Sequence, residues 1–213
     1  MRKEMSGQTA TTKETPTDEL LKMLKVTAGC RFIAAKRLAN HDKKLTRVTA
    51  LASSYVIGLT ILPYFMKLSM QIADLYNLVT VGLSIVILVS SLLQYSNGDV
   101  VNAEQHHRSA LEINELRRLL MLKAETAKEK ELEDFTDRYN PVLQKYSINH
   151  DDIDFQQYKL ERPEMYPWLD WKQRFAIRLL LAWDKHLATI VLFFMTVCFL
   201  GLILYGISQV APH

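Results

Sequence analysis

The side chains with the most chemical capacity sit in two places. "NHDDID", residues 149–154, sets His150 beside Asp151, Asp152 and Asp154, a group that could hold a divalent ion or relay a proton. Acidic residues in such a position also serve as the cap of a following helix. His106 and His107 are adjacent, which turns them to different parts of a helix surface and gives poor geometry for a shared metal. There is no Gly-rich phosphate loop, no nucleophile elbow and no His-Glu-x-x-His pair, and the 7 glycines are scattered. Cys30 and Cys198 fall in segments of different character and suggest neither a disulfide nor a metal site. No cofactor, no metal and no enzymatic activity are expected.

More telling are polar residues inside otherwise apolar stretches. Thr49, Ser53 and Thr60 share one helical face, and so do Asn77, Thr80, Ser84 and Ser91, at offsets of three, four and seven. Thr189 and Thr196 repeat the spacing further on. Two readings stand. Small hydroxylated side chains let helices pack closely, or they line a water-filled path in an oligomer. No charged residue lies within these stretches, so a path of this kind would be unselective or gated.

The elements that must position these residues are membrane spans. Val48–Met66, Leu75–Tyr95 and Leu187–Val210 are almost free of charge, and each reaches the roughly 20 residues that cross a ~30 Å hydrocarbon layer. Pro63, near the end of the first, is tolerated in a membrane helix. Ahead of it stand five cations, Lys36, Arg37, Lys43, Lys44 and Arg47, against one acid, Asp42. Cations at the doorstep of a span face anionic lipid and hold that end on the cytoplasmic side. The same rule gives an N-terminus and middle segment inside and a C-terminus outside. Beside a span, basic runs need no nucleic-acid partner to explain them. Residues 1–18 are polar and lack the apolar core of a signal peptide.

The chain therefore divides into a disordered leader (1–14), a basic amphipathic helix (15–47), a two-span hairpin (48–95), a cytoplasmic helical region (96–165), an interfacial helix (166–186) and a third span (187–210). This is an all-α membrane protein. Thr15 or Thr17 caps the first helix, with Pro16 in its first turn and Asp18 and Glu19 at its positive end. Leu21, Leu24, Ala28, Ala35 and Ala39 form its apolar stripe. The partner stripe is Ala103, Ala110, Ile113, Leu116, Leu120, Ala124 and Ala127, on a helix expected to run to about residue 139 with a bend near Asn97-Gly98. Arg31 falls inside the first stripe. It either snorkels to solvent or pairs with Glu112 or Glu115 of the second helix. Trp168, Trp171 and Phe175 beside Lys172, Arg174 and Arg178 suit a headgroup layer ahead of the third span.

A basic helix of the form "RFIAAKRL", a two-span hairpin and a long following helix resemble the SLATT family, the SMODS- and SLOG-associating two-transmembrane effectors of bacterial conflict systems. "FTDRYNPVLQKYSINHDDIDFQQYK" looks like a subfamily with a Tyr-rich stretch and an Asn-His-x-x-x-Asp element, here Asn149, His150 and Asp154. The third span departs from the two-span plan. The resemblance implies a non-enzymatic effector of the bacterial inner membrane that oligomerises and permeabilises it in antiviral defence and abortive infection. It also implies a sensor encoded nearby, either a nucleotide-generating enzyme or a reverse transcriptase. The rival from another class is a non-conducting membrane scaffold that anchors a cytoplasmic partner. A membrane-bound enzyme built around His150 is the third reading.

Overall fold

The computed structural model describes residues 15–65, 68–123, 129–146 and 148–210, the side chains at 184, 185, 188, 209 and 210 excepted. Ala124, Ala127 and the first-span residue Met66 lie outside these. Thr15 starts the first helix: its hydroxyl accepts the Asp18 N–H at 3.2 Å while Asp18 accepts the Thr15 N–H at 3.2 Å, a reciprocal arrangement that satisfies two otherwise orphan donors. From there α1 (Pro16–Phe65) runs unbroken for 50 residues, about 75 Å at 1.5 Å per residue. That is more than twice the bilayer core, so one helix both crosses the membrane and stands well outside it.

α2 (Met70–Asn97) returns antiparallel to α1, and α3 (Asp99–Lys123) continues it. The two are separated only by Gly98, whose φ of 59° and ψ of 29° end α2 in the left-handed region that glycine tolerates best. The break sits where the spans meet the outer bundle. Beside it Gln94 donates to Asp42 at 2.7 Å and Thr46 at 2.9 Å, and His41 pairs with Asp99 at 2.6 Å.

Beyond the membrane the stripe of α1 meets that of α3, as the two apolar faces require. Leu20, Leu24 and Ala28 bury against Ile113 and Leu120. The expected continuous helix to residue 139 is not formed. α3 ends at Lys123, and α4 (Glu129–Tyr146) folds back so that Phe135 and Tyr139 complete the same core. A straight extension would have left those two aromatics in water. α4 also runs through Pro141, which lies on its exposed side, where water can reach the carbonyl that proline leaves without a donor.

α5 (Asp152–Glu161) packs against α1 near Gly29. A Cβ at Gly29 would stand 2.2 Å from Tyr158 Cε2, so only glycine admits the ring. α6 (Trp171–Val210) is one helix of 40 residues that enters and contains the third span. Among the described residues three helices, in α1, α2 and α6, are long and apolar enough to cross a membrane. They pack through Leu59, Ile72 and Tyr76, with Phe199 and Leu202 of α6 closing the cluster. Tyr55 stacks on Phe199 with ring centroids 4.3 Å apart and bonds the Thr196 hydroxyl at 2.7 Å. Tyr76 donates to the Leu202 carbonyl at 2.7 Å.

Candidate functional site

The polar stripes of the spans lie away from this packed seam. On α2 the inward side is Ile72, Tyr76, Val79 and Leu83. At about 100° per residue, Asn77, Thr80, Ser84 and Ser91 fall roughly a quarter turn round, and Asn77, Ser84 and Ser91 are exposed. On α1 the buried side is Val48, Ala52 and Leu59, with Thr49, Ser53 and Thr60 displaced in the same rotational sense. Because the helices are antiparallel, an equal sense of rotation carries both stripes to one side of the hairpin. α6 takes the other side, through Tyr55, Gly58 and Val79. Ser53, Thr60, Thr80 and Ser84 each donate to the carbonyl four residues earlier, at 2.7–2.8 Å. The Thr49 hydroxyl is buried without a partner.

A second polar group lies outside the membrane, where α5 meets α1 and α3. Asp154 is fully buried and accepts from Arg37 Nε at 2.8 Å and Nη2 at 3.0 Å. It also accepts the Asp151 N–H at 3.0 Å, capping α5. Arg37 bonds Asp151 as well. Bonding to Asp154 raises the Arg37 pKa above its ordinary value. So Arg37, expected to face lipid with Lys36, Lys43, Lys44 and Arg47, is instead an internal clamp. It shares a face with Cys30 and Ile33, which pack under Tyr158, and that spacing of three and seven was the available signal. Lys36, Lys43 and Arg47 are exposed.

Arg31 takes neither of its expected roles. It is 2% exposed, so it does not snorkel, and it donates to the Ser109 hydroxyl and to the Ile148 carbonyl at 3.1 Å. Both acceptors are neutral. Burial lowers its pKa from the usual guanidinium value. Glu112 is taken by Lys145 and Tyr146, each at 2.6 Å, and Glu115 by Arg118 at 2.7 Å. The Lys145 bond holds the Glu112 carboxyl below its ordinary pKa. These acids point to α4 and to their own helix, a consequence of α4 folding back along α3.

His106 is buried next to this group and its Nδ1 lacks a partner. Burial and then the Arg31 charge push its pKa below 6.5. His107 turns outward and meets the Phe32 ring edge-on, at a centroid distance of 5.6 Å. Burial, then the Asp154 charge, pushes the Cys30 thiol up to about 12. Among the described residues no three His, Cys, Asp or Glu side chains gather where they could hold a metal ion. Of the NHDDID acids, Asp151 and Asp154 form the helix cap and the ion pairs with Arg37.

Among the described residues the protein is all-helical, with three candidate spans and a helical bundle beside them, which places it in the class of helical membrane proteins. Residues 13–207 match the SMODS and SLOG-associating 2TM effector domain family 5, and the chain belongs to that family. The match includes the third span, which is therefore part of the family domain. No curated protein and no solved structure matches the chain.

Proposed function

We propose that this membrane effector is non-enzymatic and acts as a triggered pore. Several copies bring the faces Thr49/Ser53/Thr60 and Asn77/Thr80/Ser84/Ser91 together around a common axis along the membrane normal. Two helices per subunit cannot enclose water alone, so the path needs an oligomer. One observation carries this reading. Both stripes fall on the side of the hairpin that α6 leaves uncovered, where Thr60, Asn77, Ser84 and Ser91 are exposed, although the Thr49 hydroxyl is buried within the protomer. The basic residues before the first span orient the N-terminus to the cytoplasm of a bacterial cell and the C-terminus to the periplasm. A sensor encoded beside it, a nucleotide-generating enzyme or a reverse transcriptase, supplies the trigger by favouring the open arrangement.

The rival is a non-conducting scaffold. It is favoured by the bonds of Ser53, Thr60, Thr80 and Ser84 to their own helices, which let those faces meet lipid or another helix without water. Cells carrying the gene with its flanking reading frames separate the two during phage infection. The pore admits a membrane-impermeant dye and collapses the membrane potential before growth stops. Replacing Thr80, Ser84 and Ser91 together by Val or Leu keeps insertion and abolishes leakage. Growth arrest with polarised, dye-tight membranes would leave the scaffold.

A further inference from the structure

The side of α1 and α3 that lies below the stripes is also uncovered. α4 covers the α1–α3 seam at Leu24 and Leu120, and α5 sits on the Gly29 and Ile33 side of α1. Across the seam from both runs a groove of about 620 Å³, with Phe32, Ala35, Ala39, Val100 and Ala103 among its lining and Lys36, Lys43 and Glu104 at its edges. Val100 is 60% exposed. Following the two helices at about 100° per residue, and allowing for the slow drift of paired long helices, places this groove on the same flank of α1 as the polar stripe.

We propose that a second copy of this chain docks along this groove, with Lys36 of one copy against Glu104 of the next. The inference rests on the oligomeric reading above and deepens it, because it names a contact outside the membrane that holds copies in register. Register supports the pairing. Lys36 and Glu104 each lie midway between the Arg31–Ser109 and His41–Asp99 contacts that tie the two helices together. They therefore stand at one depth, and any symmetry axis along the membrane normal preserves depth between copies. They also occupy opposite banks, Lys36 on α1 and Glu104 on α3, so rotation about that axis turns the α1 bank of one copy toward the α3 bank of its neighbour. Between the banks the floor carries Ala35, Ala39 and Ala103, small enough for a facing helix to approach closely. Glu104 is more than half exposed in its own-helix pair with Arg108, so it can meet a second cation.

The test uses the full chain in native membranes, with two differently tagged copies co-expressed, one Lys36→Cys and the other Glu104→Cys. A short bifunctional maleimide should give a mixed dimer carrying both tags, several-fold above that from Lys36→Cys mixed with Arg138→Cys on the α4 side. Cys30 is buried and Cys198→Ser removes the other native thiol. In a second arm, Lys36→Glu and Glu104→Lys each reduce co-purification of the two tags, and mixing the two variants restores it. If tagged copies co-purify but the Lys36/Glu104 pair gives no mixed dimer above control, the groove is not the interface and the oligomer is built elsewhere. If the cross-link forms only to a different polypeptide, the groove belongs to that partner and the proposal is overturned. If tagged copies fail to co-purify at all, the oligomeric reading falls with it.

Discussion

Removing the cation of the Arg37–Asp154 pair should cost more than neutralising the anion. The carboxylate of Asp154 is 0% exposed while the Arg37 side chain keeps 23% of its surface in water. Arg37→Met strands a buried carboxylate whose remaining donor is the Asp151 N–H. Breaking a buried pair in that way costs roughly 3–5 kcal/mol. Because Arg37 is partly solvated, water can follow it in, and about 2–4 kcal/mol is the appropriate expectation. Asp154→Asn can keep one oxygen for Arg37 Nη2 and the Asp151 N–H but turns its NH2 toward Arg37 Nε. It loses the charge and one of the two bonds while Arg37 stays paired with Asp151 and partly in water, about 1–2 kcal/mol. The double variant should be less damaged than the sum of the two, with a coupling of roughly 1–3 kcal/mol. Loss of helical signal on denaturant titration of the detergent-solubilised protein reads all four states. Equal costs for the two single variants, or a cost for Arg37→Met below about 1 kcal/mol, would refute the view that α5 is held by a buried, charge-compensated clamp.

His106 should make stability depend on pH. Its folded pKa lies below 6.5, so the unfolded chain binds the proton more readily and the contribution is complete above pH 6.5. It is lost as pH falls from there toward the folded value. Thermal unfolding at pH 7.5 and 5.5 should show a drop for the natural protein that His106→Gln reduces. At Gly206 an added Cβ would stand 2.2 Å from the Tyr76 hydroxyl. Gly206→Ala should therefore cost about 1–3 kcal/mol by overpacking, and Tyr76→Phe should relieve it in part. Gly82→Ala and Gly201→Ala meet no neighbour within 4 Å and should be tolerated, which a melting series in detergent will check. Cys30, buried with its thiol pushed up to about 12, should resist maleimide at pH 8 until the protein unfolds.

Long charge-free runs made the three spans legible, because length and hydropathy alone decide whether a helix can cross a bilayer. The pairing of α1 with α3 was legible too, since two apolar stripes such as Leu24–Ala28 and Ile113–Leu120 must bury against something. The reversal into α4 was not. The chain between Lys123 and Glu129 is rich in Lys, Glu and Ala, residues that favour helix and give no turn signal. The Ile148 carbonyl that Arg31 meets and the Asp154 carboxylate that Arg37 meets depended on that reversal and on where α5 lands, 117 residues along the chain in each case. Local spacing carries no such information. Nor could it say which side of the hairpin α6 takes: Thr189 and Thr196 mark one face of its span, but their spacing does not name Tyr55 of α1 as the partner that Thr196 meets.

Water access to the α2 stripe tests the pore most directly. With Cys198→Ser removing the exposed native thiol, Ser84→Cys and Leu83→Cys are each introduced into cells carrying the flanking reading frames. A charged, membrane-impermeant thiol reagent is added before and during phage infection. Ser84→Cys should be labelled only after infection, in step with dye entry, while Leu83→Cys, on the packed side with Tyr76 and Val79, stays protected. Ser84→Cys remaining unlabelled in infected cells that have already become leaky would contradict the account, because the leak would then run through some other path.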